Sequence, residues 1–172
     1  MTSGEINPPL DVLWAPWRMK YIVTCDNPPD CIFCIGESGE SDRERHIVCR
    51  HRTSFAMLNR FPYNNGHILV APYRHTADLD SLTDDELLDI VKLLRDCKNA
   101  LTRCMKPDGF NVGLNLGAAA GAGIQGHLHF HIVPRWRGDT NFMTVTAGTK
   151  VIPQSLDETR DLLCQALAGQ RE

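Results

Sequence analysis

Residues 127–134 read His127-Leu128-His129-Phe130-His131-Ile132-Val133-Pro134. In an extended strand, side chains two apart share a face, so this run predicts three imidazoles on one side and Leu128, Phe130 and Ile132 on the other. Polar residues alternating with an unbroken apolar stripe mark a strand that covers a core. A solvent-facing strand that merely happened to be rich in histidine would not need an apolar opposite face. Histidine has an ordinary pKa of about 6.5, which lets it serve as acid, base or nucleophile near neutrality. A row of three suits proton transfer, metal binding or covalent catalysis.

Working outward, residues 117–126 read Gly-Ala-Ala-Ala-Gly-Ala-Gly-Ile-Gln-Gly and carry almost no bulk. The backbone N–H groups of such a loop can approach an anion closely, although glycine-rich turns are more often simple connections. Before it, residues 109–115 read as a strand. Residues 46–50 and 54–59 read as two more, and residues 67–72 as another beyond the turn signal Asn64-Asn65-Gly66. Thr83-Asp84-Asp85-Glu86 is a capping-box pattern, after which Leu87, Ile90, Val91, Leu94, Cys97 and Leu101 recur at helical spacing. Residues 155–168 predict a second helix. Cys97 and Cys104 are expected to fill a helix face, and His46 and His51, flanking a strand, to lie at the surface. The order of elements predicts an α+β fold, a mostly antiparallel five-stranded sheet covered by a long helix.

A chain of 172 residues fits one domain with a sizeable core. Its formal net charge of −3 argues against a surface that tracks a polymeric nucleic acid, while leaving room for a small phosphorylated ligand. No stretch is apolar enough for a membrane span or a secretory leader, so a cytoplasmic protein with no membrane partner is expected. Seven irregularly spaced cysteines fit reduced thiols or a metal site better than a disulfide framework. Residues 1–29 contain Pro8, Pro9, Pro16, Pro28 and Pro29, yet also Trp14, Trp17 and Tyr21. Aromatic side chains need cover, so this arm is expected to pack on the domain or on a second subunit. Cys31-Ile32-Phe33-Cys34 offers two thiolates that can share one Zn²⁺. A redox dithiol and two unrelated buried thiols are the other readings, the former without a thioredoxin-like βαβ pattern around it.

The run His127-Leu-His129-Phe-His131-Ile-Val resembles the His-φ-His-φ-His-φ-φ signature of the histidine triad family of nucleotidyl hydrolases and transferases. The resemblance extends to Ser54-Phe-Ala-Met-Leu-Asn59-Arg60 and Gly66-His67-Ile-Leu-Val-Ala-Pro72, which look like the family's nucleoside-binding strands. Phe110-Asn-Val-Gly-Leu-Asn115 looks like its penultimate strand. Together these cover residues 30–142, leaving 143–172 as a C-terminal extension with a helix. Leu13-Trp-Ala-Pro-Trp-Arg-Met19, Pro134-Arg-Trp136 and Gly138-Asp-Thr-Asn-Phe142 resemble the bacterial branch of the family that includes diadenosine tetraphosphate (Ap4A) phosphorylase.

The resemblance implies the histidine triad fold, a homodimer, a small nucleotide substrate and no catalytic metal. His129 is implied as the nucleophile that attacks an α-phosphorus, its other ring nitrogen donating to the carbonyl of His127. It also implies that His131 contacts the phosphate and helps to protonate the leaving group, Asn59 binds the ribose, His67 buttresses the site, and Asn115 lies near the phosphate or the nucleophile. Many relatives carry Gln-Ser shortly before the triad, and Gly123 and Ile124 stand at the matching positions. Backbone N–H groups of Gly121, Gly123 and Ile124, with Gln125 nearby, are the expected replacements. Some triad proteins complete a zinc site with two histidines, which here implies Cys31, Cys34, His75 and His127 as ligands of a structural zinc. Two other classes remain for comparison. One is a hydrolase whose three histidines ligate a catalytic zinc, disfavoured by the absence of a nearby carboxylate. The other is a nucleotide sensor without turnover.

Overall fold

The computed structural model describes residues 31–36, 39–139 and 152–169. The expected arm, residues 1–29, lies outside the described residues, as do Thr140, Asn141 and Phe142 of the branch-specific stretch. Strands β1 (Ile47–Arg50), β2 (Ser54–Leu58), β3 (Ile68–Pro72), β4 (Gly109–Leu114) and β5 (Phe130–Arg135) form one sheet in the order β1-β2-β3-β5-β4. Every pairing is antiparallel. The helices are α1 (Asp84–Met105) and α2 (Leu156–Ala168). The α+β architecture expected from the sequence is therefore observed.

Helix α1 begins where its capping box predicts. Thr83 accepts from the Glu86 N–H, and the Glu86 carboxylate accepts from the Thr83 N–H. Its buried stripe is Ile90, Leu93, Cys97, Ala100 and Leu101, whereas Val91, expected in the core, is exposed. At about 100° per residue, a stripe centred on 90, 93, 97 and 101 carries position 91 round to the solvent side. Ser155 and Glu158 cap α2 in the same way, and Leu163 and Leu167 enter the apolar cluster that α1 forms with the sheet.

The β2–β3 turn contains Gly66, which has φ +71°, and a Cβ there would meet Met105 Sδ at 2.8 Å. Glycine answers both constraints. Asn64 fastens this turn to the far end of β5 by donating to Pro134 O (3.0 Å) and Asp139 Oδ2 (2.8 Å).

The sheet is covered on both faces. Ile68, Val70 and Ile132 pack under α1, while Ile47, Phe55, Met57, Leu69 and Ala71 form a second cluster around Phe33. In the register, Leu69 faces His131 and Ile68 faces Ile132, so the apolar stripe predicted at 128, 130 and 132 points to the helix side. The strand itself begins at Phe130, three residues later than the sequence suggests. The ladder ends because Pro72 has no N–H to donate and its carbonyl accepts from the ring of His127 instead. His46 and His51 are not simple surface residues. His46 faces Asp157, and His51 lies half-buried between Asp89 and Asp96. Cys97 is buried and Cys104 packs against the same core, as expected for a helix face. Among the described residues, no helix is long and apolar enough to cross a membrane.

Candidate active site

Burial and hydrogen bonding give each triad imidazole a different role. His129 is 6% exposed, and its Nδ1 donates to the carbonyl of His127 at 2.9 Å. A carbonyl can only accept, so the proton sits on Nδ1 and the lone pair is on Nε2. Burial pushes the pKa of His129 below the ordinary histidine value, against the opposing pull of that hydrogen bond. His127 is arranged the other way round. Its Nε2 donates to Pro72 O at 2.9 Å, which leaves Nδ1 as the lone-pair nitrogen, and burial is again the main cause of its lowered pKa.

A chain of donors defines the third ring. The backbone N–H of Tyr63 donates to His67 Nδ1 (3.0 Å), so His67 carries its proton on Nε2 and presents it to His131 Nδ1 (3.0 Å). The proton of a neutral His131 therefore belongs on Nε2. The rings of His129 and His131 meet edge to face, with centroids 5.1 Å apart. Asn59 contacts the same relay: its Oδ1 accepts from the Phe61 N–H (2.9 Å) and its Nδ2 lies 3.3 Å from His67 Nδ1.

A cavity of about 330 Å³ runs along the outer face of β4 and β5 beside the triad. Its lining includes Tyr63, Asn111, Gly113, Asn115, His131 and Arg135. Of the residues expected to bind nucleotide or phosphate, Asn115 and His131 line it. The glycine-rich loop folds into a single 3₁₀ turn, Ala118–Ala120. Gly121 was expected to offer its N–H to phosphate, but that group donates to Ala118 O (2.9 Å) and is spent inside the loop. The loop needs this bond because Gly121, at φ +84°, closes the turn. Gly123 and Ile124 follow it, the Ile124 side chain resting against the Phe33 cluster, and Gln125 is exposed.

The donors Cys31, Cys34, His75 and His127 gather on the other side of His129, all within 4.8 Å of one another. Cys31 Sγ lies 3.4 Å from His127 Nδ1, and Cys34 Sγ lies 3.2 Å from His75 Nδ1 and 3.9 Å from His127 Nδ1. Zinc bonds of about 2.3 Å to sulfur and about 2.0 Å to nitrogen, at a tetrahedral angle, put S and N about 3.5 Å apart. The donors fit zinc, and the His127 tautomer imposed by Pro72 points the lone pair at the cluster, the outer-sphere support expected of a metal-binding histidine. Among the described residues, His127 thus groups with two thiols and His75 rather than with His129 and His131.

Two further residues, neither marked by a motif of its own, pack against the triad. Phe33, between the two cysteines, is fully buried, with its ring 4.8 Å from that of His129 and inclined by 26°. Tyr63 stacks near His131, with centroids 6.0 Å apart and 15° between planes. Their positions in sequence, inside a Cys-x-x-Cys and four residues before His67, are the only local hints.

Similarity to known proteins runs in the same direction. A family model for the HIT domain matches residues 40–138. AP-4-A phosphorylase of Mycobacterium tuberculosis (strain ATCC 25618 / H37Rv) is 40% identical over 168 residues, covering 94% of this chain and 86% of that protein. Adenosine 5'-monophosphoramidase hnt1 of Schizosaccharomyces pombe is 32% identical over 105 residues, covering 61% of this chain and 74% of its own length. A crystal structure of a Zn-bound histidine triad family protein from Mycobacterium smegmatis superposes with a TM-score of 0.64 at 24% identity, covering 83% of this chain and 96% of that one. The chain belongs to the HIT domain family, the histidine triad proteins.

Proposed function

We propose that this protein is a nucleotidyl transferase that cleaves the α-phosphate linkage of a dinucleoside polyphosphate, converting Ap4A and phosphate to ATP and ADP. The observation that carries the chemistry is the 2.9 Å bond from His129 Nδ1 to the His127 carbonyl, which leaves a buried Nε2 with its lone pair available. The choice of substrate is supported by the 40% identity to the AP-4-A phosphorylase over most of both chains.

In this reading His129 Nε2 attacks the α-phosphorus, an N–P bond forms, and the P–O bond to the leaving ATP breaks with its electron pair passing to oxygen. His131, protonated on Nε2, hydrogen-bonds the departing oxygen. Phosphate then attacks the nucleotidyl-histidine, the N–P electron pair returns to Nε2, and ADP is released. A bound, oriented phosphate outcompetes water in that second step.

In the same proposal His127 holds His129 through its carbonyl, His67 orients His131, and Asn59 binds the ribose. Asn115, with the Gly123 and Ile124 N–H groups and Gln125, contacts the phosphates. Cys31, Cys34, His75 and His127 hold one structural zinc, which when bound cross-links the Cys31–Cys34 turn to the triad loop. The protein acts as a cytoplasmic homodimer, with residues 1–29 as an arm packed on the domain or its partner, 30–142 as the catalytic domain and 143–172 as an extension. Chromatography of the products of Ap4A with and without saturating phosphate tests the reading. ADP plus ATP is expected, AMP plus ATP would make the protein a hydrolase, and no reaction would direct the search to phosphoramidates, the substrate class in the name of the yeast relative.

A further inference from the structure

We propose that the face of the Phe33 ring stabilises the positively charged imidazolium that His129 becomes when its Nε2 is bonded to phosphorus. The proposal rests on the reading that His129 is the nucleophile. Before attack the ring is neutral, with a proton on Nδ1 and a lone pair on Nε2. The attack uses that lone pair while Nδ1 keeps its proton, so one positive charge appears on the imidazole as the N–P bond forms and the P–O bond breaks. Among the described residues, the hydrogen-bond partner of this ring is the neutral carbonyl of His127, not a carboxylate. The large group against its face is Phe33, at 4.8 Å and 26°.

An aromatic face carries partial negative charge and attracts a cation within about 6 Å of its centroid. A neutral imidazole gains much less from the same contact. The interaction therefore strengthens as the reaction proceeds, and interactions of that kind raise kcat rather than tighten substrate binding.

The fold delivers Phe33 to this position by several independent restraints. The Cys34 N–H donates to Cys31 O (3.0 Å), closing a turn that has Phe33 inside it. The ring is fully buried among Ile47, Phe55, Met57, Leu69 and Ala71. Beyond the turn, Arg50 donates to Gly36 O (3.0 Å) while its guanidinium is held by Asp42 (2.7 Å), which fastens the segment to β1. A ring so placed cannot swing away from His129 without disturbing the second core. Its neighbours Cys31 and Cys34 also face His127, the residue that holds His129 Nδ1.

The test keeps the ring's shape and changes its charge distribution. In the full-length protein Phe33 is replaced by mono-, di- and trifluorophenylalanine, which progressively drain the negative face. Single-turnover formation of the nucleotidyl adduct with Ap4A is expected to slow stepwise, to about a tenfold loss for the trifluoro ring. AMP affinity should change less than twofold and Tm by no more than a few degrees. Phe33→Leu should give a similar rate loss with a larger fall in Tm. A rate that does not depend on fluorination would overturn the proposal and leave Phe33 as apolar packing. Alkaline quench, which preserves the acid-labile N–P bond, and mass spectrometry of the wild type separate this from failure of the underlying reading. An adduct on His129 with a flat series refutes the role of Phe33 alone, whereas no adduct on His129 refutes both.

Discussion

Replacing His67 by leucine should leave chemistry running but scramble the tautomer of His131. His67 is buried, accepts the Tyr63 N–H through Nδ1 and donates from Nε2 to His131 Nδ1, each at 3.0 Å. A net hydrogen bond of about 1 kcal/mol biases His131 toward the Nε2–H form by roughly five to one, and leucine removes that bias. Falling to about equal populations costs about a factor of two in the competent form, and loss of ring orientation brings the total to roughly tenfold in kcat. That is far less than the roughly 10²- to 10⁴-fold expected when a general acid is deleted outright, as in His131→Ala. Losing the two hydrogen bonds that His67 makes should also destabilise the fold by about 2–3 kcal/mol, a Tm loss of roughly 4–12 °C. Nitrogen-15 NMR of the histidine rings reads the tautomers directly, and His67→Gln, which supplies an N–H donor again, should recover part of the bias. Wild-type His131 protonated on Nδ1 would refute the donor chain. A thousandfold fall in kcat for His67→Leu would show that His67 acts on the substrate itself rather than through His131.

Other expectations follow from the same geometry. His129→Ala should abolish turnover by several orders of magnitude while nucleotide binding, followed by calorimetry with AMP, survives. Protein purified without chelator should contain one zinc per chain by elemental analysis, and Cys31→Ser should lower Tm more than it lowers kcat, because the donor cluster joins two chain segments 96 residues apart. Glu86, held by Arg74 and the Thr83 N–H, has its pKa lowered to about 2, so its contribution to stability is complete above about pH 4.5 and is lost as pH falls toward 2. Glu86→Gln should flatten the denaturation midpoint against pH across that acidic window and leave its shape above pH 5 unchanged.

The elements of this fold were legible because their signals are local. The capping box at Thr83, the turn at Gly66 and the alternation from His127 to Ile132 each occupy a few adjacent residues, and each appears where its chemistry requires. Their ends were less legible. The strand starts at Phe130 because Pro72, more than fifty residues away, gives its carbonyl to His127, and no property of residues 127–129 encodes that competition.

The sequence by itself determined the candidates for the site: three histidines in a row of twos, two cysteines around Phe33, and Asn59 and His67 flanking one turn. Only the tertiary structure decided which ring nitrogen of each histidine holds the proton. A tautomer depends on the partner that reaches each ring nitrogen. The partners here are Pro72 for His127, a main-chain carbonyl for His129, and His67 backed by Tyr63 for His131. Three identical side chains acquire different proton and lone-pair positions because packing brings a different neighbour to each of them. Those neighbours come from segments far apart in the chain, which are brought together when apolar surface on both faces of the sheet is buried.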